Sequence, residues 1–249
     1  MRFTRLAPSI LLIAASVRAQ TPTELIASGD RDYISMNAVS ALAHYEQAAK
    51  AEPSSYEALW KASRSAVDIG SYSNDKPRRE ALFTSAEQYA RRAVQLNPAD
   101  AEGHFSLARA LGKTALTQSP RGRIRYATEI RSQALECLRI NPKHGGCLHV
   151  MGMWNAEVMR LNSITRLVAR NILGGKIFGT ASWKEAVRYM EASVANDPDR
   201  IVHYLDLAGV YDDTGDKARA RDMYNAVLRM PANDINDRFY KDQARAAVR

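Results

Sequence analysis

Five prolines recur along this chain of 249 residues, and each directly follows an alanine-rich stretch with helical periodicity. They are Pro53, Pro98, Pro142, Pro198 and Pro231. The intervals are 45, 44, 56 and 33 residues, so one unit of about 34 residues recurs with roughly 11, 10 and 22 residues added to the first three. Self-similarity of this length is typical of stacked helical hairpins. The sequence therefore predicts an all-α solenoid of about five hairpins, one with a long insertion, plus a C-terminal capping helix.

The shortest unit, which ends at Pro231, shows the order of side chains within one hairpin. Small residues alternate with aromatic and aliphatic ones, because small side chains let two helices cross closely and large ones fill the space beside the crossing. This order resembles the tetratricopeptide repeat. In the longest unit we expect Gly152 to lie against the helix that begins at Ser182, with Ala186 opposite. The predicted structural positions are Gly152, Trp154, Ala186, Tyr204, Leu207, Ala208, Tyr211, Ala220 and Tyr224.

The first 19 residues have the form of a secretory signal. Arg2 and Arg5 precede a short apolar run, Leu6 to Val17, and Val-Arg-Ala then gives a cleavage site after Ala19. We expect a mature domain of residues 20–249, beginning at Gln20, that is secreted or periplasmic. The alternative is an uncleaved membrane anchor, for which the run is short. Cleavage would lower the formal charge from +8 to +5, an excess that favours acidic partners or anionic lipid surfaces.

Two cysteines, Cys137 and Cys147, are predicted at positions that face each other across a repeat junction. In an oxidising compartment a disulfide is geometrically conceivable. Two small buried thiols are the alternative.

Local signals place the extra residues of the second and third units in loops between their helices. These loops are residues 71–77 and 117–125, both rich in turn-forming residues. Capping boxes are predicted at Ser54 with Glu57 and at Ser182 with Glu185.

The 22-residue insertion predicts a helix that runs uninterrupted from about Leu148 to Gly174. Its extension carries apolar residues on one side and arginines on the other. One interpretation is a groove that binds an anionic phospholipid, since guanidinium groups donate well to phosphate oxygens. The other is that the apolar residues cover an edge of the solenoid. The candidate lipid contacts are Arg160, Leu161, Ile164, Arg166, Val168, Arg170, Ile172 and Phe178.

No catalytic, cofactor or metal site is predicted. His144, Cys147 and His149 match no known metal-ligand spacing. Gly174-Gly175-Lys176 lacks the other residues of a phosphate loop, and residues 212–216 lack the ligand order of a calcium loop. The arginine clusters at 78–79, 91–92 and 121–125 lack the aromatic residues expected of a single-strand binder, so nucleic acid is not a predicted partner.

Two segments resemble the regulator of microtubule dynamics family more closely than a generic repeat. They are AEQYARRAVQLNPADAEGH and the stretch from INPKHGGCLHVMGMW through the insertion to YMEASVANDP, and the ending RMPANDINDRFYKDQARAAV is similar as well. The resemblance implies an all-helical tetratricopeptide solenoid. A link to microtubules is implied by this resemblance alone, and an exported chain would not meet them. The resemblance is also consistent with phospholipid binding.

These observations predict a non-catalytic scaffold that binds a protein or peptide in the concave groove of its first helices. A phospholipid-binding module that uses residues 160–178 is the alternative, and a scaffold subunit that binds nothing small is a third reading.

Overall fold

The computed structural model describes residues 20–162 and 176–249. In these ranges the chain forms eleven α-helices, one short 3₁₀ helix and no strand. The helices are α1 (Pro22–Ile34), α2 (Ala38–Ala51), α3 (Tyr56–Tyr72), α4 (Lys76–Leu96), α5 (Ala101–Ala115), α6 (Pro120–Ile140), α7 (Gly145–Arg160), α8 (Trp183–Asn196), α9 (Ile201–Asp213), α10 (Lys217–Arg229) and α11 (Asp237–Ala247), with the 3₁₀ helix at Lys176–Thr180.

Consecutive helices pair into five antiparallel hairpins, and α11 packs on the last one. The first helices α1, α3, α5, α7 and α9 also contact one another in order, more closely than successive second helices do. The first helices therefore form an inner, concave layer and the second helices an outer one. The predicted all-α solenoid with a C-terminal capping helix is confirmed. None of the described helices is long and apolar enough to cross a membrane.

Side-chain caps explain where most helices begin. Thr21 and Glu24 form a reciprocal capping box at α1. Ser182 Oγ accepts from the Glu185 backbone N–H at 3.1 Å, as predicted. The predicted cap at Ser54 is wrong by one residue, because Ser55 is the residue whose hydroxyl accepts from a backbone N–H of the first turn.

Most of the residues predicted at the crossings of the last hairpins are buried. Leu207, Ala208, Tyr211, Ala220 and Ala186 lie in one cluster or beside it, all at most 4% exposed. Tyr204 and Tyr224 are half-buried and pack against the neighbouring cluster with α11.

Gly152 contacts the predicted helix, α8, but not at the predicted residue. A Cβ at position 152 would lie 2.5 Å from Met190 Cγ and 3.2 Å from the Met190 backbone nitrogen. Met190 is one turn beyond Ala186, and both belong to one buried cluster with Ala156. The crossing is thus shifted by one turn.

The extra residues of the second and third hairpins lengthen the helices. Helices α3, α4, α5 and α6 have 17, 21, 15 and 21 residues, whereas α9 and α10 have 13 each. The predicted loops at 71–77 and 117–125 are therefore wrong in extent. Only residues 73–75 and 116–119 lie between the helices, and Lys76 and Pro120 already begin the next ones.

The predicted long helix of the insertion is also wrong. Helix α7 ends at Arg160, and Leu161 has an extended backbone with φ −62° and ψ 138°. Beyond it, Ile164, Arg166, Val168, Arg170 and Ile172 lie outside the described residues, as do Gly174 and Gly175.

A disulfide joins Cys137 in the last turn of α6 to Cys147 in the first turn of α7. Their Cα atoms are 6.4 Å apart and both side chains are fully buried. Of the two alternatives left by the sequence, the bond is the one that forms.

Candidate functional site

Charged side chains of the first helices line the inner surface, and ion pairs between neighbouring helices hold them. Lys61 of α3 reaches Asp30 of α1 at 2.7 Å and Glu57 of its own helix at 2.6 Å. The guanidinium of Arg64 stacks on the ring of Tyr33, 3.6 Å from its centroid. Because these long side chains have fixed partners, this part of the surface is pre-organised.

Asp68 is the buried centre of the inner surface, and its side chain is fully inaccessible to solvent. Its carboxylate accepts hydrogen bonds from the Tyr33 hydroxyl, at 2.9 Å, and from the Arg109 guanidinium of α5. Burial and this carboxylate raise the pKa of Tyr33, which therefore stays a neutral donor. Burial disfavours the charge on Arg109, but Asp68 outweighs it and keeps the pKa of Arg109 above its ordinary value.

Two histidines connect α7 with α9. His149 Nε2 lies 2.8 Å from Asp206 Oδ2, and the rings of His149 and His203 stack with centroids 4.9 Å apart. Burial, then the charges of His149 and Arg200, lower the pKa of His203 to about 2. His203 is therefore neutral over the physiological range.

The two candidate lipid contacts best defined by the structure do not face a groove. Arg160 pairs with Asp213 of α9 and Glu157 of α7, so its guanidinium is engaged. Phe178 is 2% exposed and stacks on Trp154, with ring centroids 5.8 Å apart. Phe178 therefore packs on the solenoid, in one cluster with Trp154 and Val158. Leu161, directly after Arg160 in the chain, is half-buried.

Trp154, on which Phe178 stacks, connects helices α6 and α7. Its indole N–H donates to the Ala127 carbonyl at 2.8 Å, and the Arg131 guanidinium lies 5.4 Å from its ring centroid. Trp154 thus ties α7 to α6, as expected of a structural residue.

A C-terminal segment, residues 231–236, crosses the inner surface between α10 and α11. The Asp234 carboxylate lies 3.2 Å from Arg200, at the start of α9. The Asn236 amide donates to the Asp68 carbonyl at 3.3 Å, although the two residues are 168 positions apart. Asp234 and Asn236 are 9% and 2% exposed. This late part of the chain therefore meets α3 and closes the concave face.

Sequence reasoning missed this contact. The available signal was the cluster of Asn233, Asp234, Asn236 and Asp237 directly after Pro231. Such short polar side chains bind backbone groups, and Asp237 does so by accepting from the N–H groups of Asn233 and Asp234, each at 2.7 Å.

Among the described residues, one group has the composition of a metal site. The ligand atoms of Cys137, His144 and Cys147 lie within 4.8 Å of one another. Both thiols are consumed by the disulfide, and His144 Nδ1 accepts from the Cys147 N–H to cap α7. The predicted structural role of His144 and Cys147 fits this geometry.

Solved structures with the same architecture are tetratricopeptide proteins. The crystal structure of a thermophilic TPR protein of Thermus thermophilus has a TM-score of 0.64 and 19% identity, and the match covers 91% of this chain and all of that one. PilF of Pseudomonas aeruginosa has a TM-score of 0.53 and 13% identity, with 91% and 88% covered. At these identities the likeness shows the fold.

Proteins related to this chain in sequence are named as regulators of microtubule dynamics. The chain is 24% identical over 198 residues to regulator of microtubule dynamics protein 1 of Bos taurus, which covers 78% of this chain and 61% of the relative. It is 23% identical over 154 residues to the Mus musculus protein, with 61% and 50% covered. The chain thus spans about half to three fifths of the length of these relatives. The family model "Regulator of microtubule dynamics protein 1-3" matches residues 25–249, nearly the whole described chain, and this chain belongs to that family.

Proposed function

We propose that this chain is a non-catalytic scaffold that binds a peptide segment of a protein partner on its inner surface. The observation that carries the proposal is that this surface already holds a polypeptide segment, residues 231–236, through the Asp68 backbone carbonyl of α3 and the Arg200 side chain at the start of α9. Tetratricopeptide-type solenoids offer such extended concave surfaces to partners. Membership of a family with this helical-repeat fold supports the same role.

The chemistry of the inner surface supports binding more than turnover. Its carboxylates and cations neutralise one another in fixed pairs such as Lys61 with Asp30 and Arg109 with Asp68. Charged groups held in fixed positions can meet complementary groups of a partner and so fix its orientation and register.

A selection experiment tests the proposal. A library of random peptides displayed on phage would be selected against the chain 20–249, and an enriched peptide would then be added during hydrogen exchange. We expect added protection in the first helices α3, α5 and α9 and none in the outer helices α4 and α6. Protection confined to the outer helices, or no enrichment over a mock selection, would refute the proposal.

The phospholipid alternative stays a prediction. Arg160 and Phe178 do not support it, since both are engaged within the solenoid. Its remaining candidate contacts, apart from half-buried Leu161, lie outside the described residues.

We also propose that the chain works outside the cytoplasm, on the strength of its first 19 residues. The name of its relatives refers to microtubules, which an exported chain would not meet. Intact-mass analysis of the protein from its native host should give an N-terminus at Gln20, and retention of Met1 would refute export by cleavage.

A further inference from the structure

Lys113 is the exception among the cations of the inner layer. Within the described residues, every other lysine or arginine of the first helices α1, α3, α5, α7 and α9 makes a hydrogen bond or an ion pair. These are Arg31 with Ser28, Lys61 with Asp30 and Glu57, Arg64 with Tyr45, Arg109 with Asp68, and Arg160 with Glu157 and Asp213. The side chain of Lys113 in α5 makes neither a hydrogen bond nor an ion pair with any of the described residues.

The position of Lys113 places it at the centre of the inner surface. It lies one turn beyond Arg109 on α5, so both side chains project from the same face of the helix. It is half-buried and within electrostatic range of Asp68 on α3 and Asp206 on α9. Burial and the neighbouring Arg109 lower the pKa of Lys113.

Both of these carboxylates are already engaged. Asp68 accepts from Arg109 and Tyr33, and Asp206 is held by His149 at 2.8 Å. A buried or half-buried cation without its own counter-charge is unfavourable, and an added carboxylate would relieve this.

The chain itself shows how an acidic residue binds on this surface. Asp234, in the non-helical segment 231–236, pairs with Arg200 at 3.2 Å and also accepts a hydrogen bond from the Asn236 backbone N–H at 3.0 Å. Arg200 is thereby occupied, and among the described cations of this surface Lys113 is the one that remains open.

We propose that Lys113 binds the side-chain carboxylate of an Asp or Glu in the peptide that occupies the inner surface. This inference rests on the proposed peptide-binding function and adds the chemistry of the ligand. An acidic residue in the partner would complete the set of ion pairs on the inner surface.

The test compares three proteins in the same phage selection: wild type, Lys113→Gln and, as a matched control, Lys184→Gln on the exposed surface of α8. We expect peptides enriched by wild type and the Lys184 variant to share an Asp or Glu at one position. The Lys113 variant should enrich peptides without that preference. The displayed peptides have no free C-terminal carboxylate, so the preference would report a side chain.

Fluorescence polarisation then measures one enriched peptide and its Asp→Asn or Glu→Gln version. Lys113→Gln should weaken binding of the acidic peptide about 10-fold or more, the size expected for a hydrogen bond between charged groups. It should leave binding of the neutral peptide unchanged. Equal losses for both peptides would overturn the proposal, because they would mean a general structural effect. Urea unfolding of the two variants checks that both are folded.

The outcomes separate two kinds of failure. If no protein enriches peptides, the peptide-binding function itself fails. If peptides are enriched without an acidic preference, only the role of Lys113 fails. Binding of wild type to vesicles of phosphatidylcholine with phosphatidylglycerol that is lost in Lys113→Gln and not competed by peptide would assign Lys113 to a lipid and overturn the proposal.

Discussion

At Gly152 the backbone of α7 approaches α8 so closely that a single added carbon would overlap its neighbour. An ideal Cβ there lies 2.5 Å from both Cγ and Sδ of Met190, which is fully buried. Gly112 in α5 offers the opposite environment, since a Cβ there would have nothing within 4 Å. Two helical glycines of the same chain thus differ only in whether space exists for a side chain.

Gly152→Ala should destabilise the fold and Gly112→Ala should stabilise it. Alanine improves helix propensity by up to about 1 kcal/mol at either site, but at position 152 overpacking of about 1–3 kcal/mol outweighs that gain. Urea unfolding of both variants measures the difference. If Gly152→Ala were as stable as Gly112→Ala, the close crossing of α7 and α8 would be refuted.

His203 makes stability depend on pH. Its pKa is lowered from an ordinary value near 6.5 to about 2, mainly by burial, so in the native state it stays neutral while in the unfolded chain it takes up a proton. Its contribution is therefore fully present above pH 6.5 and is lost as pH falls. Between about pH 7.5 and about pH 5.5 the free energy of unfolding should fall by about 1.4 kcal/mol.

Denaturant titrations at these two pH values measure the effect, and His203→Gln provides the control. The variant can be less stable at both values, yet its stability should change less with pH than that of wild type. An identical pH dependence in the two proteins would contradict neutral burial of His203.

The local sequence pattern predicts what kind of surroundings a residue has better than it predicts which residue it contacts. The sequence predicts a tight helix crossing at Gly152, but whether Gly152 meets Ala186 or Met190 depends on how far one helix slides along the other. The ion pair of Arg160 with Glu157 spans three residues of one helix, whereas its other partner, Asp213, is 53 residues away. Ion pairs between helices of different hairpins leave no local trace in sequence.

At the scale of elements, the disulfide between α6 and α7 is a covalent link between two hairpins that Trp154 also joins by a hydrogen bond. It closes a short loop, since its cysteines are 10 residues apart. Cross-linking of this kind reduces the freedom of the unfolded chain.

Replacing both cysteines by alanine should lower the free energy of unfolding by about 2–3 kcal/mol, the amount expected for a loop of this length. Urea unfolding with and without dithiothreitol measures it. Reductant should destabilise wild type and leave the double variant unaffected. Two free thiols titrated in the unfolded, never-reduced protein would contradict the bond.

Existence and type of the helices could be predicted, whereas their lengths could not. Ser71 and Gly122 are of types common in turns, but side-chain caps and packing determine whether a helix continues through them, as α3 and α6 do. The end of α7 had one local signal, Asn162, a residue common just after helices. Apolar periodicity beyond that point favoured a continuous helix.

At the scale of the whole molecule, the C-terminal region both caps the last hairpin and closes the inner surface. Helix α11 covers Ile201, Leu205 and Val227, and Asn236 bonds to α3. Curvature that brings residue 236 to residue 68 accumulates from the second hairpin to the fifth, so a repeat pattern read one unit at a time does not predict it.

A chain that ends at Met230 should unfold at lower urea concentration and have a larger radius of gyration than one that ends at Ala246. The shorter chain loses the cover over Ile201 and the link between distant hairpins, whereas the longer one retains Ala244, which is fully buried. Small-angle X-ray scattering measures the radius. Equal radii in two folded chains would show that the segment does not hold the solenoid closed.

The bond between Asn236 and Asp68 also sets an order of events during folding. Hairpins of a solenoid form from local contacts and can fold one after another as the chain is made. This bond joins residues 168 positions apart in the chain. It can therefore form only after residue 236 has been synthesised and, in an exported chain, carried across the membrane. Before that moment the inner surface is open along its full length, and a partner that arrives early meets a wider groove than one that arrives late.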